Sequence, residues 1–263
     1  MSDVVTKRSG AVLVVQINRP DVFNALNKAV LAGLNAAVVQ AAATPGVRAV
    51  VLTGTGPKAF SAGADLKELA ALGPDRARDT MAFGQRVMRS IEQTPLPVIA
   101  AVNGVALGGG FELALAATFA VLSTRASMGL PESGLGLIPG YGGTQRLPAA
   151  VGRRVATYLM LTGARLDSER AYALGLTPVP PCADEELLDV AVEIAGKVAA
   201  QGPRAVRSIL RAVDIGRDAG LDAGLDLETG LAALAIAGEE STEGISAFLE
   251  KRPAKFDDPG VPG

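Results

Sequence analysis

The chain reads as an α/β protein with parallel, buried strands and a helical C-terminal portion, on three observations. Short runs rich in β-branched and small apolar residues recur at Val12–Ile17, Val47–Leu52, Val98–Val102 and Phe119–Leu122. Between the first two, Lys28–Ala43 sets Val30, Leu31, Leu34, Ala37 and Val38 at helical spacing. Strand, helix and strand within about 40 residues form a crossover unit, which joins parallel, buried strands. Beyond Pro139-Gly140, helical patterns take over.

The elements follow in order. Asn24–Asn27 is a cap region for the first helix. A second long helix spans Arg76–Glu92 and ends before Pro95. Helical patterns then cover Gly152–Leu161, Ser168–Leu174, Glu185–Ala200, Pro203–Ile215, Leu221–Ala237 and Ser241–Glu250. Gln201-Gly202-Pro203 is a helix break, so residues 1–200 form a core and 201–263 a C-terminal helical segment. The last dozen residues, rich in Pro, Gly and charge, are expected to fray. The strand–helix recurrence is a weak internal repeat.

Composition narrows the chemistry. At 263 residues the chain makes one large domain, or one domain with an appendage. A net charge of −2 with no basic run argues against a nucleic-acid surface. The segment Val98–Leu122 is apolar, but Asn103, the triple glycine and Glu112 interrupt it, which a membrane span rarely accepts. The single cysteine, Cys182, cannot form an internal disulfide and has no base partner; it reads as inert. MSDVVTKRSG carries no apolar signal region, so a cytoplasmic protein is expected. Zero histidines remove the usual general base and most zinc chemistry, so no metal is expected and proton transfer falls to Asp, Glu, Lys or Tyr.

The most informative stretch runs from Gln93 to Gln145, where only Glu112, Arg125 and Glu132 are charged. With 20% charge over the whole chain, roughly ten charged residues would be expected there. An ionised carboxylate among apolar residues is costly unless it is paired or its pKa rises. Two glutamates retained in such surroundings point to two carboxyl groups in a dry pocket. The alternatives are a buried ion pair of Glu112 with Arg125 and a solvated loop position for Glu132.

Two strand–turn–helix segments accompany them. Ala59–Glu68 follows the Gly54-Thr55-Gly56-Pro57 turn, and Asn103–Leu115 carries Gly108-Gly109-Gly110 ahead of an apolar helix. Small residues let a ligand approach the backbone, and amides at helix starts face negative charge. Free amides near Ala64 and the triple glycine can converge on one oxygen, forming an oxyanion hole. The plain alternatives are an ordinary loop and close helix–sheet packing. No G-x-x-x-x-G-K-[ST], G-x-G-x-x-G or G-x-S-x-G is present.

These residues resemble the crotonase (enoyl-CoA hydratase/isomerase) superfamily. The likeness covers Asn18-Arg19-Pro20, Asn24-Ala25-Leu26, Phe60–Leu66, Asn103–Glu112, Pro131-Glu132, Ile138–Leu147, Leu161-Thr162-Gly163 and Phe248–Arg252. It implies an α/β spiral of ββα units with a C-terminal helical trimerisation segment, assembled as a homotrimer or dimer of trimers. The implied partner is an acyl-CoA thioester, with no covalently bound cofactor. By the same likeness, Ala64 and Gly109 supply the oxyanion amides, Glu112 activates and positions water, and Glu132 handles the proton at C2. Substrate and CoA contacts are implied at Ala25, Ala62, Gly63, Asp65, Leu66, Lys67, Pro131 and Gly140, and Ala70–Gly73 with the region around Tyr141 would line the acyl tunnel. The pair of glutamates favours a hydratase; an isomerase, another CoA-ester lyase or a non-catalytic acyl-CoA binder are the alternatives.

Three departures from the family pattern stand out. Ala117-Thr118 replaces a common Cys-Asp pair, which removes a support for the site. Tyr141 occupies a position that is commonly small and would narrow the acyl pocket. Phe111 replaces smaller residues and is expected to fill core.

Overall fold

A computed structural model describes residues 2–258. The chain opens with β1 (Val4–Ser9), β2 (Val12–Ile17) and α1 (Lys28–Ala43). Three similar turns follow. The first comprises β3 (Ala49–Gly54), β4 (Ala59–Ser61), α2 (Leu66–Ala70) and α3 (Pro74–Glu92). The second is β5 (Val98–Val102), β6 (Val105–Leu107) and α4 (Gly109–Ala116). The third is β7 (Phe119–Leu122), β8 (Ser127–Gly129), a 3-10 turn (Glu132–Leu135) and α5 (Gly143–Val151). After α6 (Arg153–Thr162), β9 (Leu166–Asp167), α7 (Ser168–Ala173) and α8 (Leu187–Ala199), the chain ends in α9 (Pro203–Asp218), α10 (Leu221–Ile236) and α11 (Glu239–Leu249).

Each of the three turns gives one strand to each of two sheets. One sheet runs β1-β2-β3-β5-β7 and the other β4-β6-β8-β9. Pairing is parallel except at β1–β2 and β8–β9. This is the expected spiral of ββα units.

The near-continuous apolar strands have a simple cause: both faces of the five-stranded sheet are covered. Val50, Leu52, Ala100 and Val102 face α1 and the main core, whereas Ala49, Val51, Ile99 and Ala101 pack against α8 through Leu187, Ala191 and Ala195. The cap region resolves to Asn27, whose side chain accepts from Val30 N–H at 2.8 Å.

The apolar segment 98–122 folds as strand, strand, helix and strand, and no described helix is long and apolar enough to cross a membrane. Two expectations change. Helix α5 was not anticipated, because Pro148 lies inside it and glycines precede it. The tail through Asp258 is tied down instead of frayed. Arg48 donates to the Phe256 carbonyl and to Asp258 at 2.7 Å, and Arg252 pairs with Glu243. The remaining tail positions lie outside the described residues.

Candidate active site

Glu112 lies on α4, one turn from its start, and is 1% exposed. It has no ion pair with Arg125, which instead pairs with Asp184. Its Oε1 accepts two backbone hydrogen bonds, from Tyr141 N–H at 2.8 Å and Gly143 N–H at 2.7 Å. Burial pushes its pKa up to about 7 against the pull of those two amides. The Glu132 charge pushes it further up, and Arg146 pulls it down.

Glu132 comes from the 3-10 turn after β8 and approaches the same helix start from another side. A methyl group on Gly108 would sit 2.8 Å from its Oε1. Its Oε2 is buried and has no partner among the described residues. Burial raises its pKa as well. One carboxyl is thus held as an acceptor by amides, and the other is half-buried with one oxygen kept dry and unpartnered among the described residues.

Two amides converge beside them. A bridge between Leu26 and Ala64 sets the first: Leu26 N–H donates to Gly63 O at 2.8 Å and Asp65 N–H to Leu26 O at 3.0 Å. Those two bonds leave the intervening Ala64 N–H with no acceptor among the described residues. The second is Gly109 N–H, at the first position of α4, where helix geometry offers no intrahelical partner. Positions 63 and 109 touch: a methyl on Gly63 would lie 3.2 Å from Gly109 N, and one on Gly109 3.4 Å from Ala64 N. Gly63 has φ +97° and faces Leu107 O closely, so only glycine suits the turn. Two free amides, one at a helix N-terminus, can hold an oxygen as it gains negative charge. Among the described residues no group of three or more His, Cys, Asp or Glu can hold a metal ion.

The enoyl-CoA hydratase/isomerase family model matches residues 7–259. The chain belongs to this family. It is 41% identical over 256 residues to a crotonyl-CoA hydratase of Syntrophomonas wolfei, covering 97% of each chain. It is 37% identical to a short-chain-enoyl-CoA hydratase of Clostridium acetobutylicum, covering 96% of each. The crystal structure of an enoyl-CoA hydratase from Bacillus anthracis superposes with a TM-score of 0.93 at 39% identity, covering 97% of this chain and 99% of that one.

The other residues named by the family likeness fall into two groups. Ala25, Ala62, Gly63, Asp65, Leu66 and Lys67 lie along the edge that carries Ala64. There Arg19 donates to Ala25 O at 2.8 Å and pairs with Asp65 at 3.3 Å, while Asp65 caps α2 by accepting from Lys67 N–H. Leu66 and Lys67 are exposed in the first turn of α2. Pro131 precedes the Glu132 turn, and Gly140 hands its carbonyl to Gln85 of α3 at 3.0 Å.

The departures also resolve. Thr118 is exposed and accepts from Val98 N–H at 3.0 Å, tying β7 to β5. Glu112 draws its support from the Tyr141 and Gly143 amides, so the loss of an acid at 118 does not leave it unheld. Phe111 fills core, as expected. Tyr141 is 3% exposed and its ring lies between α3 at Gly84 and the start of α4 at Gly109. The Tyr141 and Gly143 amides were missed because their bonds to Glu112 span 29 and 31 residues, beyond any local pattern.

Proposed function

We propose that this protein is an enoyl-CoA hydratase, adding water syn across the C2=C3 bond of a trans-2-enoyl-CoA to give a 3-hydroxyacyl-CoA. The carrying observation is the buried carboxyl of Glu112 and the half-buried one of Glu132, whose Oε2 is shut from water, beside two free amides. Their unequal partners allow one to be ionised while the other is protonated. In this reading the thioester oxygen lies between Ala64 N–H and Gly109 N–H, which stabilise it as the enolate develops. Ionised Glu112 takes a proton from water as the hydroxyl oxygen bonds to C3, and protonated Glu132 gives its proton to C2. The product gains one water, and proton exchange with solvent resets the pair. Because the two acids interact, their titration belongs to the pair.

CoA is assigned to the edge formed by Ala25 and Ala62–Lys67, with Pro131 and Gly140 on the acyl side. The hydratase names of the relatives and the shared fold support this reading. We assign residues 1–200 to the spiral core and 201–263 to a segment that joins copies as a homotrimer or dimer of trimers. Supporting this, α9 and α10 have no buried residue, while Ile209, Val213, Leu234 and Phe248 are exposed. The single, half-buried Cys182 fits a cytoplasmic setting.

The test follows loss of enone-thioester absorbance with crotonyl-CoA, on protein whose mass by light scattering corresponds to three or six chains. Wild type should hydrate it, and Glu132→Gln should lose roughly 100-fold or more in kcat. Absence of hydration, or a fully active Glu132→Gln, would reject the mechanism; consumption of a 3-enoyl-CoA without water addition would point to isomerisation.

A further inference from the structure

The charge-poor stretch is bracketed by Glu92 on one side and Arg146 on the other, and the fold closes that bracket. Arg146 Nη2 meets Glu92 Oε2 at 2.9 Å and its Nε reaches Oε1 at 3.2 Å. Its remaining nitrogen, Nη1, donates to the Tyr141 carbonyl at 3.0 Å. A methyl group on Gly142 would collide with that nitrogen, so the glycine makes room for the contact. Glu92 also accepts from Arg89 at 2.8 Å and from Arg217 of α9 at 2.7 Å. The guanidinium therefore grips the turn whose Tyr141 and Gly143 amides hold Glu112 Oε1.

We propose that Arg146 is a positioning residue: anchored on Glu92, it fixes the 141–143 turn so that both amides stay on Glu112, and α9 contributes to the anchor through Arg217. Arg146 does not bond to Glu112 itself. It bonds the Tyr141–Gly142 peptide, which lies between the two peptides whose N–H groups do, and misplacing a reacting group by about 1 Å can cost roughly 100-fold in rate. A planar fork with two partners also has no equivalent in lysine. The kinetic part of this inference rests on the hydratase reading; the positioning part does not.

The test combines pH-dependent crotonyl-CoA kinetics with amide hydrogen exchange at Tyr141 and Gly143, for Arg146→Ala, Arg146→Lys and Arg217→Ala. Arg146→Ala should lower kcat by roughly 100-fold with little change in KM. Its Glu112-dependent limb should move to higher pH, since Arg146 is the cation acting on Glu112 while Glu132 and the Tyr141 hydroxyl still face it. The two amides should exchange faster, and added guanidinium should restore part of the rate. Arg146→Lys keeps the charge without the fork and should fall between; it carries the same test if the alanine variant does not fold. Arg217→Ala should give a smaller loss. Unchanged exchange and an unmoved pH limb, with or without a lower Tm, would overturn the proposal. A wild type that does not hydrate crotonyl-CoA would instead reject the hydratase reading, and the exchange measurement would still decide the positioning role.

Discussion

Two glutamates, Glu92 at the end of α3 and Glu112 on α4, are both withdrawn from water, yet their acidities are driven in opposite directions. Burial alone would raise both. At Glu92, hydrogen bonds from Arg146, Arg217 and Arg89 outweigh burial and bring the pKa down to about 2. At Glu112 burial wins against two amide hydrogen bonds, and the pKa rises to about 7. One arginine serves both sites unequally: Arg146 gives its hydrogen bonds to Glu92 and to the Tyr141 carbonyl, and leaves Glu112 only its field. The difference teaches that depth alone does not set a carboxyl's acidity. Withholding a cation's hydrogen bonds from it leaves its proton exchangeable near neutral pH, as the proposed role of Glu112 requires.

The sharpest way to break this comparison is Glu112→Gln. The amide keeps an oxygen for the Tyr141 and Gly143 donors but cannot take a proton, so hydration should fall by roughly 10²–10⁴-fold. Stability should move the other way. A carboxyl whose pKa is raised on folding from 4.5 to about 7 binds protons more tightly in the native state. Its contribution is therefore greatest below about pH 4.5 and is lost as pH rises through about 7. Relative to wild type, Glu112→Gln should gain up to about 3 kcal/mol at pH 8, shrinking towards pH 5. Thermal melts of both proteins across that range check it; an equal or lower Tm at pH 8 would mean that Glu112 is not strained by its charge.

Glu92→Gln probes the opposite case. Its pKa is depressed on folding, so its stabilisation is present above about pH 4.5 and disappears as pH falls towards 2. Arg89 and Arg217 are each 40% exposed, and solvent screening weakens their share of the network. The substitution should cost about 1–3 kcal/mol at pH 7, because three guanidinium groups lose their common anion. Melts at pH 7 and pH 3.5 should show that penalty shrinking in acid. A penalty of the same size at both would assign the loss to packing instead of charge.

How far this arrangement could be read from residues depends on the range of the interaction. Val12–Ile17, Lys28–Ala43, Val98–Val102 and Phe119–Leu122 match their observed limits, because periodicity and continuous burial are local signals. The second sheet was invisible: β4, β6 and β8 have three residues each and lie beside glycines, too short to show a period. Glu112 and Glu132 were legible through scarcity of charge around them. The Glu92–Arg146 pair was not, since it joins residues 54 apart and only the packing of α3 and α5 on α4 brings them together. The alternative of a Glu112–Arg125 pair fails for the same reason: Arg125 shares the charge-poor stretch with Glu112 but pairs with Asp184.

Tyr141 tests how closely support and selectivity are combined in one turn. Its amide holds Glu112, while its ring lies against Gly109, whose amide is one of the two proposed oxyanion donors. The phenol is dry enough that burial, with Glu112 and Glu68, pushes its pKa up to about 12, so it remains neutral and acts as a wall. Tyr141→Ala keeps the amide and removes the wall. If the ring ends the acyl pocket, the ratio of kcat/KM for an eight-carbon over a four-carbon enoyl-CoA should rise by roughly tenfold or more, since even one methylene in an apolar pocket is worth about that much. The pH limb that reports Glu112 should not move to higher pH, because the backbone donors and Arg146 remain and losing the ring can only admit water. A chain-length profile that does not move would place the end of the pocket elsewhere. A limb moved to higher pH would show that the ring, and not only the peptide, holds the carboxyl in place.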